Sequence, residues 1–166
     1  SKYLKKFPIV DIFTLAYLYV LRIIAGGLLV SVPISNWLIT FSVFFFLFLA
    51  TVKRWIEIKK SSNSNISGRG YLASDKNFAS QLSYFSGLIS ILIVCLYIES
   101  NQAQDIYSST RVLWFIPLIL LFWVVEILFK VERGEVNDDP VVYALKSKTS
   151  YLALGVFSLI LFIALN

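Results

Sequence analysis

Three short stretches of the sequence concentrate the charged and small polar residues that could bind an anion. The first, "KRWIE", carries Lys53, Arg54 and Glu57. On a helix, Lys53 and Glu57 are four residues apart and share a face, with Arg54 beside them. A cationic pair and a carboxylate would then project together. The alternative, which these residues alone favour, is a basic anchor for lipid headgroups with Trp55 at the membrane interface.

The second stretch, "SGRGYLASD", places Gly68 and Gly70 on either side of Arg69. Glycines let the backbone turn tightly near an anion, and a guanidinium group binds phosphate through two parallel hydrogen bonds. The spacing is not that of a Walker phosphate-binding loop. The alternative is an ordinary loop that ends with Ser74 or Asp75 as the cap of a helix.

The third stretch is "KVERGEVNDDPVVYALK". Asp139 followed by Pro140 predicts an N-cap and the first position of a short helix. This prediction does not account for Arg133, Glu135 and Asp138, which lie just before it. Their alternating charges could hold an anion together with its metal ion.

The composition indicates that these stretches belong to a membrane protein. The chain has 166 residues, of which 58% are hydrophobic and 15% charged, with a mean hydropathy of +0.76. Soluble domains are about 45–50% apolar, with about a quarter of their residues charged. A spanning helix needs ~20 mainly apolar residues, and lipid requires the backbone hydrogen bonds to close within the segment. We therefore predict an all-α, polytopic transmembrane helix bundle with five spans: 9–31, 37–54, 78–98, 112–130 and 149–165.

The distribution of basic residues predicts the orientation. Nearly all of the 15 Lys and Arg residues lie before the first span, between the second and third, or between the fourth and fifth. Basic segments stay on the cytoplasmic side. We therefore expect the three charged stretches to face the cytoplasm, in a multi-pass protein of the plasma membrane.

The residue inventory restricts the chemistry. The chain has no histidine and a single cysteine, Cys95, which excludes zinc, haem and histidine-based triads within it. Any metal site must use oxygen ligands, which favour magnesium or manganese. The chain also has no methionine, even at position 1, which predicts that it is a piece of a longer protein.

Three ionisable residues fall within the predicted spans: Asp11, Arg22 and Glu126. Each is costly in lipid unless it is paired or faces a polar cavity. Asp11 and Arg22 are about three helical turns apart, or ~16 Å, so they cannot bond to each other. We therefore expect this face of the first helix to line an internal cavity.

The order of these segments resembles that of a known family. The stretches that carry the resemblance are "LKKFPIVDIFTLAYLYVLRIIAGG", "SNWLITFSVFFFLFLATVKRWIE", "GRGYLASD" and "ERGEVNDDPVVYAL". The chain resembles the C-terminal half of a UbiA-superfamily membrane prenyltransferase, within the branch of decaprenyl-phosphate phosphoribosyltransferases. The resemblance implies nine helices around a cavity open to the cytoplasm and to lipid, of which these are spans five to nine.

The resemblance also implies a function and a set of site residues. A polyprenyl phosphate would accept a 5-phosphoribosyl group from phosphoribosyl pyrophosphate, with Mg²⁺ as cofactor and pyrophosphate as product. Other partners would be membrane lipids and the missing N-terminal half of the protein, and we expect no nucleic-acid partner. The residues expected to bind the substrate phosphates or ribose are Lys5, Lys53, Arg54, Arg69, Tyr71 and Arg133. Those expected to bind metal are Glu57, Asp75 and Asp138.

The carboxylates depart from the family pattern. The first aspartate-rich motif, N-D-x-x-D, belongs to the missing half, and the second, D-x-x-x-D, has no match in residues 52–77. No catalytic residue is assigned. Two alternatives stay open: a UbiA-type prenyltransferase that uses a prenyl diphosphate donor and an aromatic or other acceptor, and a non-catalytic membrane scaffold or transporter subunit.

Overall fold

The computed structural model describes residues 7–60, 70–72, 74–136 and 139–165. Three residues predicted for the site, Lys5, Arg69 and Asp138, lie outside these ranges. The helices of the described part are α1 (Pro8–Leu29), α2 (Asn36–Lys60), α3 (Asp75–Ile98), α4 (Asn101–Ile106), α5 (Thr110–Leu113), α6 (Phe115–Arg133), α7 (Pro140–Lys146) and α8 (Lys148–Leu165).

Five helical segments are long and apolar enough to cross a membrane: α1, α2, α3, the pair α5 and α6, and α8. Only Trp114 separates α5 from α6. These segments correspond to the five predicted spans and confirm the all-α polytopic bundle. They make the chain a multi-pass integral membrane protein.

Helix α2 is the centre of the bundle. It packs against α3 and α1, while α3 packs against α6 and α6 against α8. Phe48, Val52 and Trp55 of α2 are almost completely buried in the main core. The large apolar side chains of α1 and α8 are mostly exposed, which suits helices that face lipid.

Small residues let α3 lie close to its neighbours. One face of α3 carries a buried stripe of small residues, at the spacing of successive helical turns. These residues are Ser83, Ser86, Gly87 and Ser90. A Cβ atom at Gly87 would lie 3.0 Å from Val124 Cγ1 and 3.2 Å from Phe48 Cδ2. Because each serine hydroxyl donates to a carbonyl oxygen within α3, the buried stripe leaves no serine hydroxyl unpaired.

Helix α2 continues to Lys60, beyond the predicted end of the span at residue 54. The physical reason is burial, since Trp55, Ile56 and Ile58 all pack into the core. The "KRWIE" stretch therefore lies on a rigid helix that other parts of the chain cover.

The start of α7 is as predicted. The Asp139 carboxylate accepts a hydrogen bond of 3.0 Å from the backbone N–H of Val141, and Pro140 is the first helical residue. Before it, α6 ends at Arg133 and is followed by Gly134, whose φ of 75° is a left-handed conformation that favours glycine.

The ionisable residues of α1 do not share an environment. Asp11 is buried and forms an ion pair with Arg54. Arg22 is exposed, and its guanidinium lies 5.0 Å from the centre of the Tyr19 ring. The expectation that both line one internal cavity is therefore wrong. Arg54 of the neighbouring helix α2 balances the charge of Asp11 instead.

Candidate functional site

Charged residues from four helices meet at one end of the bundle, which we call the basic end. The C-terminal part of α2 makes ion pairs there with α1, with α6 and with the N-cap of α7. Basic residues of this end include Lys53, Arg54, Lys59, Lys130 and Arg133. The structure therefore brings together the first and third charged stretches of the sequence.

Arg54 lies between two carboxylates. Its Nε atom is 2.7 Å from Asp11 Oδ2, although the N–H is not aligned for a hydrogen bond, and its Nη1 atom donates to Glu57 Oε2 at 2.7 Å. The Arg54 side chain is 5% exposed, and Trp55 is 1% exposed. A membrane anchor would need both side chains at the lipid interface, so this alternative is wrong for Arg54 and Trp55. The phosphate-binding role of Arg54 stays a prediction.

Tyr71 fastens the short segment 70–72 to the start of α1. Its hydroxyl donates to the carbonyl oxygen of Pro8 at 2.8 Å and lies 3.3 Å from Asp11 Oδ2. Burial raises the pKa of Tyr71, and the negative charge of Asp11 raises it further. The phenol is therefore a neutral donor at physiological pH. The predicted contact of Tyr71 with a ribose stays a prediction.

Lys53 forms an ion pair with the Asp139 carboxylate. The Lys53 and Asp139 side chains are 29% and 23% exposed, so solvent reaches both. Arg133 is more open: its side chain is 60% exposed, lies 3.9 Å from Glu135 Oε1 and stacks over the Phe129 ring at 4.2 Å. Both cations are accessible from the basic end.

The carboxylates predicted to bind metal are engaged elsewhere. Glu57 accepts from Arg54, and Asp75 Oδ2 accepts from the backbone N–H of Leu72 at 2.9 Å. Asp138 lies outside the described residues. Within the described ranges, no group of three acidic, histidine or cysteine side chains is placed to hold a metal ion. In the described part of the chain, Glu57 and Asp75 do not by themselves form a magnesium site, and magnesium stays a prediction.

A second polar cluster connects α6, α7 and α8. Glu126 Oε1 accepts from Lys130 Nζ at 2.5 Å and from Thr149 Oγ1 at 2.7 Å. Lys130 Nζ also lies 2.5 Å from the Tyr143 hydroxyl. The Glu126–Lys130 spacing of four residues was a visible signal for this pair. No sequence pattern indicated Tyr143 or Thr149, because only the turn between α7 and α8 brings them there.

An apolar cavity of about 640 Å³ lies between α2, α3, α6, α7 and α8. Its volume is within the range of about 300–1,000 Å³ that is usual for small-molecule sites. Aromatic and aliphatic side chains form most of its wall, among them Phe41, Phe45, Leu120, Trp123, Phe157 and Leu161. Helix α7 contributes Ala144 and Leu145 to this wall, while its N-cap, Asp139, binds Lys53. One short helix therefore connects the basic end to the cavity.

Comparisons with known proteins identify relatives over most of the chain. It is 34% identical over 152 residues to "Uncharacterized protein y4nM" of Sinorhizobium fredii, which covers 89% of this chain and 30% of the relative. It is 24% identical over 149 residues to the nodulation protein NoeC of Azorhizobium caulinodans, covering 88% of this chain and 48% of NoeC. It is 25% identical over 150 residues to decaprenyl-phosphate phosphoribosyltransferase of Mycobacterium tuberculosis, covering 90% and 48% respectively.

The chain is a distant homologue of these proteins. This homology supports a UbiA-like family for the chain. No protein-family model matches it, and no solved structure does. The chain spans half the length or less of the curated relatives it matches.

Proposed function

We propose that the chain is part of an integral membrane transferase of the UbiA type. The transferase moves a 5-phosphoribosyl group from phosphoribosyl pyrophosphate to a polyprenyl phosphate and releases pyrophosphate. Support for this substrate pair comes from the homology to decaprenyl-phosphate phosphoribosyltransferases across 90% of the chain.

The observation that carries the proposal is the position of α7 between a cationic surface and an apolar cavity. The donor of such a reaction carries phosphate groups and the acceptor carries a hydrocarbon chain, so the site needs both environments next to each other. Lys53 lies at the N-cap of α7, and the cavity wall includes Ala144 and Leu145 of the same helix. The five helical steps from the N-cap Asp139 to Ala144 span ~8 Å.

The chemistry gives the cationic residues their role. An oxygen of the acceptor phosphate forms a bond to the anomeric carbon of the ribose, and the bond from that carbon to the pyrophosphate oxygen breaks. The electron pair leaves with the pyrophosphate, which gains negative charge. Positive groups held close to the leaving group stabilise such developing charge. Lys53 and Arg133 are the described candidates for this role, and Lys5 and Arg69 are predicted to join them.

Arg54 serves this site through its position on α2. Its buried ion pair with Asp11 of α1 fixes α2 at the residue next to Lys53. The Tyr71 hydroxyl makes a second contact with the Asp11 carboxylate. The backbone that carries Lys53 is thereby held against α1.

The proposal is tested by the choice of substrates. Membranes that contain the full-length protein are incubated with magnesium, ribose-labelled phosphoribosyl pyrophosphate and a polyprenyl phosphate, and the lipid fraction is extracted. We expect a labelled lipid that depends on both substrates. A labelled product formed only from a prenyl diphosphate and an aromatic acceptor would instead favour the prenyltransferase alternative. No product from either pair would leave the scaffold or transporter alternative.

A further inference from the structure

The Asp139 carboxylate forms an ion pair with Lys53, the cation that the proposed function assigns to a substrate phosphate. Its carboxylate does two things: one oxygen caps α7 through Val141 N–H, and the other pairs with Lys53. A carboxylate and a phosphate oxygen are chemically similar acceptors for an ammonium group. The Asp139 carboxylate and a substrate phosphate therefore compete for the single ammonium group of Lys53.

We propose that Asp139 is an internal competitor for the anion-binding position of Lys53, and that a pyrophosphate or phosphate group displaces it. The inference rests on the proposed function only in taking Lys53 as a phosphate ligand, and not on the transfer reaction itself. It gives Asp139 a role in regulating the access of anions to Lys53.

The environment of the pair makes this exchange feasible. Ion pairs that solvent can reach contribute little, because water competes for both charges. Lys53 and Asp139 are both partly exposed, in contrast to Arg54, whose side chain is 5% exposed and lies between two carboxylates. An incoming phosphate group carries more negative charge than one carboxylate and offers more acceptor oxygens. Lys53 is therefore the exchangeable cation of the two.

The attachments of α7 determine how the exchange affects the rest of the bundle. Its C-terminal part is held by Tyr143 against Lys130 and by Tyr151, whose hydroxyl donates to the Leu145 carbonyl oxygen at 2.8 Å. Its N-terminal end is held by Lys53. Pro140 is buried and Val141 packs against the main core, so displacing Asp139 removes one polar contact of this end while Ala144 and Leu145 still line the cavity. Anion binding at Lys53 is thus coupled to the helix that covers part of the cavity.

The variant Asp139→Asn separates the two roles of this residue. Asparagine caps a helix about as well as aspartate, so α7 keeps its first hydrogen bond while Lys53 loses its charged partner. The binding of inorganic pyrophosphate to the full-length protein in lipid nanodiscs is measured by calorimetry. Because the apparent dissociation constant scales with the fraction of competent site, and a partly exposed pair is weak, we expect binding to tighten about two- to five-fold.

Glu132→Gln is the matched control. It removes one negative charge at the same end of the bundle, from a residue that pairs with Lys59 and not with Lys53. We expect it to change pyrophosphate binding much less than Asp139→Asn does. The double variant Lys53→Ala, Asp139→Asn should not bind pyrophosphate more tightly than the wild type, because it lacks the Lys53 ammonium group.

Several results would overturn the inference. They are unchanged or weaker binding to Asp139→Asn, an equal gain in Glu132→Gln, a gain that persists without Lys53, and no pyrophosphate binding to any variant. Weaker binding would point to Asp139 as a ligand of a metal ion that binds with the anion. If the gain is found but no phosphoribosyl transfer is detected, the competitor role stands and the proposed function fails.

Discussion

The ion pairs of Arg54 are the strongest local constraint on the basic end. Replacing one member of a buried pair leaves an uncompensated charge, which typically costs about 3–5 kcal/mol. Replacing both by apolar groups of similar size is often close to neutral. Asp11 and Arg54 are both buried, so they should follow this rule.

We predict that Arg54→Met lowers the free energy of unfolding by about 3–5 kcal/mol, because it leaves the buried Asp11 carboxylate uncompensated. Asp11→Leu should cost less, because Arg54 keeps its ion pair with Glu57. The double variant should lose less than the sum of the two, because Asp11 is then no longer left as an uncompensated charge. The measurement is unfolding in mixed micelles with increasing denaturing detergent, with the exposed Lys148→Met as the control. Additive losses would show that the two residues do not depend on each other.

Tyr71 gives a second prediction, which concerns pH. Tyr71→Phe should cost about 1 kcal/mol at neutral pH through its lost hydrogen bond. Because the pKa of Tyr71 is raised in the folded protein, the folded state holds the phenolic proton more tightly than the unfolded state. That contribution is complete below the unfolded value near 10 and is lost as the pH rises through the folded value.

The difference in unfolding free energy between wild type and Tyr71→Phe should therefore shrink above about pH 10. The test measures this difference from pH 8 to 11, with Tyr17→Phe, an exposed tyrosine, as the control. If the difference in unfolding free energy grew with pH, or if Tyr17→Phe gave the same pH dependence, the role assigned to the Tyr71 hydroxyl would be contradicted.

The sequence predicted which residue types gather at the basic end but not their partners. The "KRWIE" stretch was correctly placed at the end of a helix, and Glu57 was expected beside Lys53. The structure instead pairs Glu57 with Arg54 and Lys53 with Asp139. Helical spacing makes several pairings possible on one surface, and only the packing of α1 and α7 against α2 selects among them.

At the scale of elements, the five long helices could be predicted because each is a long apolar run. Their ends were harder to predict. Helix α2 extends past residue 54 because Ile56 and Ile58 are buried by neighbouring elements. Helix α4 was not expected, although Ser100 caps it by accepting from Ala103 N–H. The small-residue stripe of α3 was also overlooked, although its spacing of three and four residues is readable in the sequence.

That stripe supports a prediction about helix packing. A side chain at Gly87 would meet Val124 and Phe48 within 3.2 Å, so Gly87→Leu should push α3 away from α2 and α6. Overpacking of this kind costs about 1–3 kcal/mol. The measurement is the free energy of unfolding in micelles.

Gly155→Leu is the matched control for Gly87→Leu. It makes the same substitution within a spanning helix, but a Cβ atom there would have no neighbour within 4 Å. We expect it to be neutral or slightly stabilising, since leucine favours a helix more than glycine does. Equal losses in the two variants would show that α3 does not depend on close packing at Gly87.

At the scale of the whole molecule, the orientation in the membrane is still a prediction. The chain has one cysteine, Cys95, which is half-buried, so a Cys95→Ala background is simple to make. Exposed positions at the two ends of the bundle are Glu135, at the basic end, and Gln104, on α4.

We predict that a membrane-impermeant maleimide added to intact cells labels Gln104→Cys but not Glu135→Cys. Permeabilising the membrane should allow both to be labelled. The reverse pattern in intact cells would place the basic end outside the cell and remove its access to a cytoplasmic donor.

The proposed function depends on the basic end binding the phosphates of the donor. The most direct measurement is the rate of phosphoribosyl transfer to polyprenyl phosphate by Lys53→Ala and Arg69→Ala, compared with Lys148→Ala, an exposed lysine with no assigned role. Removing one group that stabilises developing charge typically slows turnover by about 10²-fold or more, and we expect losses of this size in the first two variants at equal membrane insertion. Wild-type rates in both would contradict this claim.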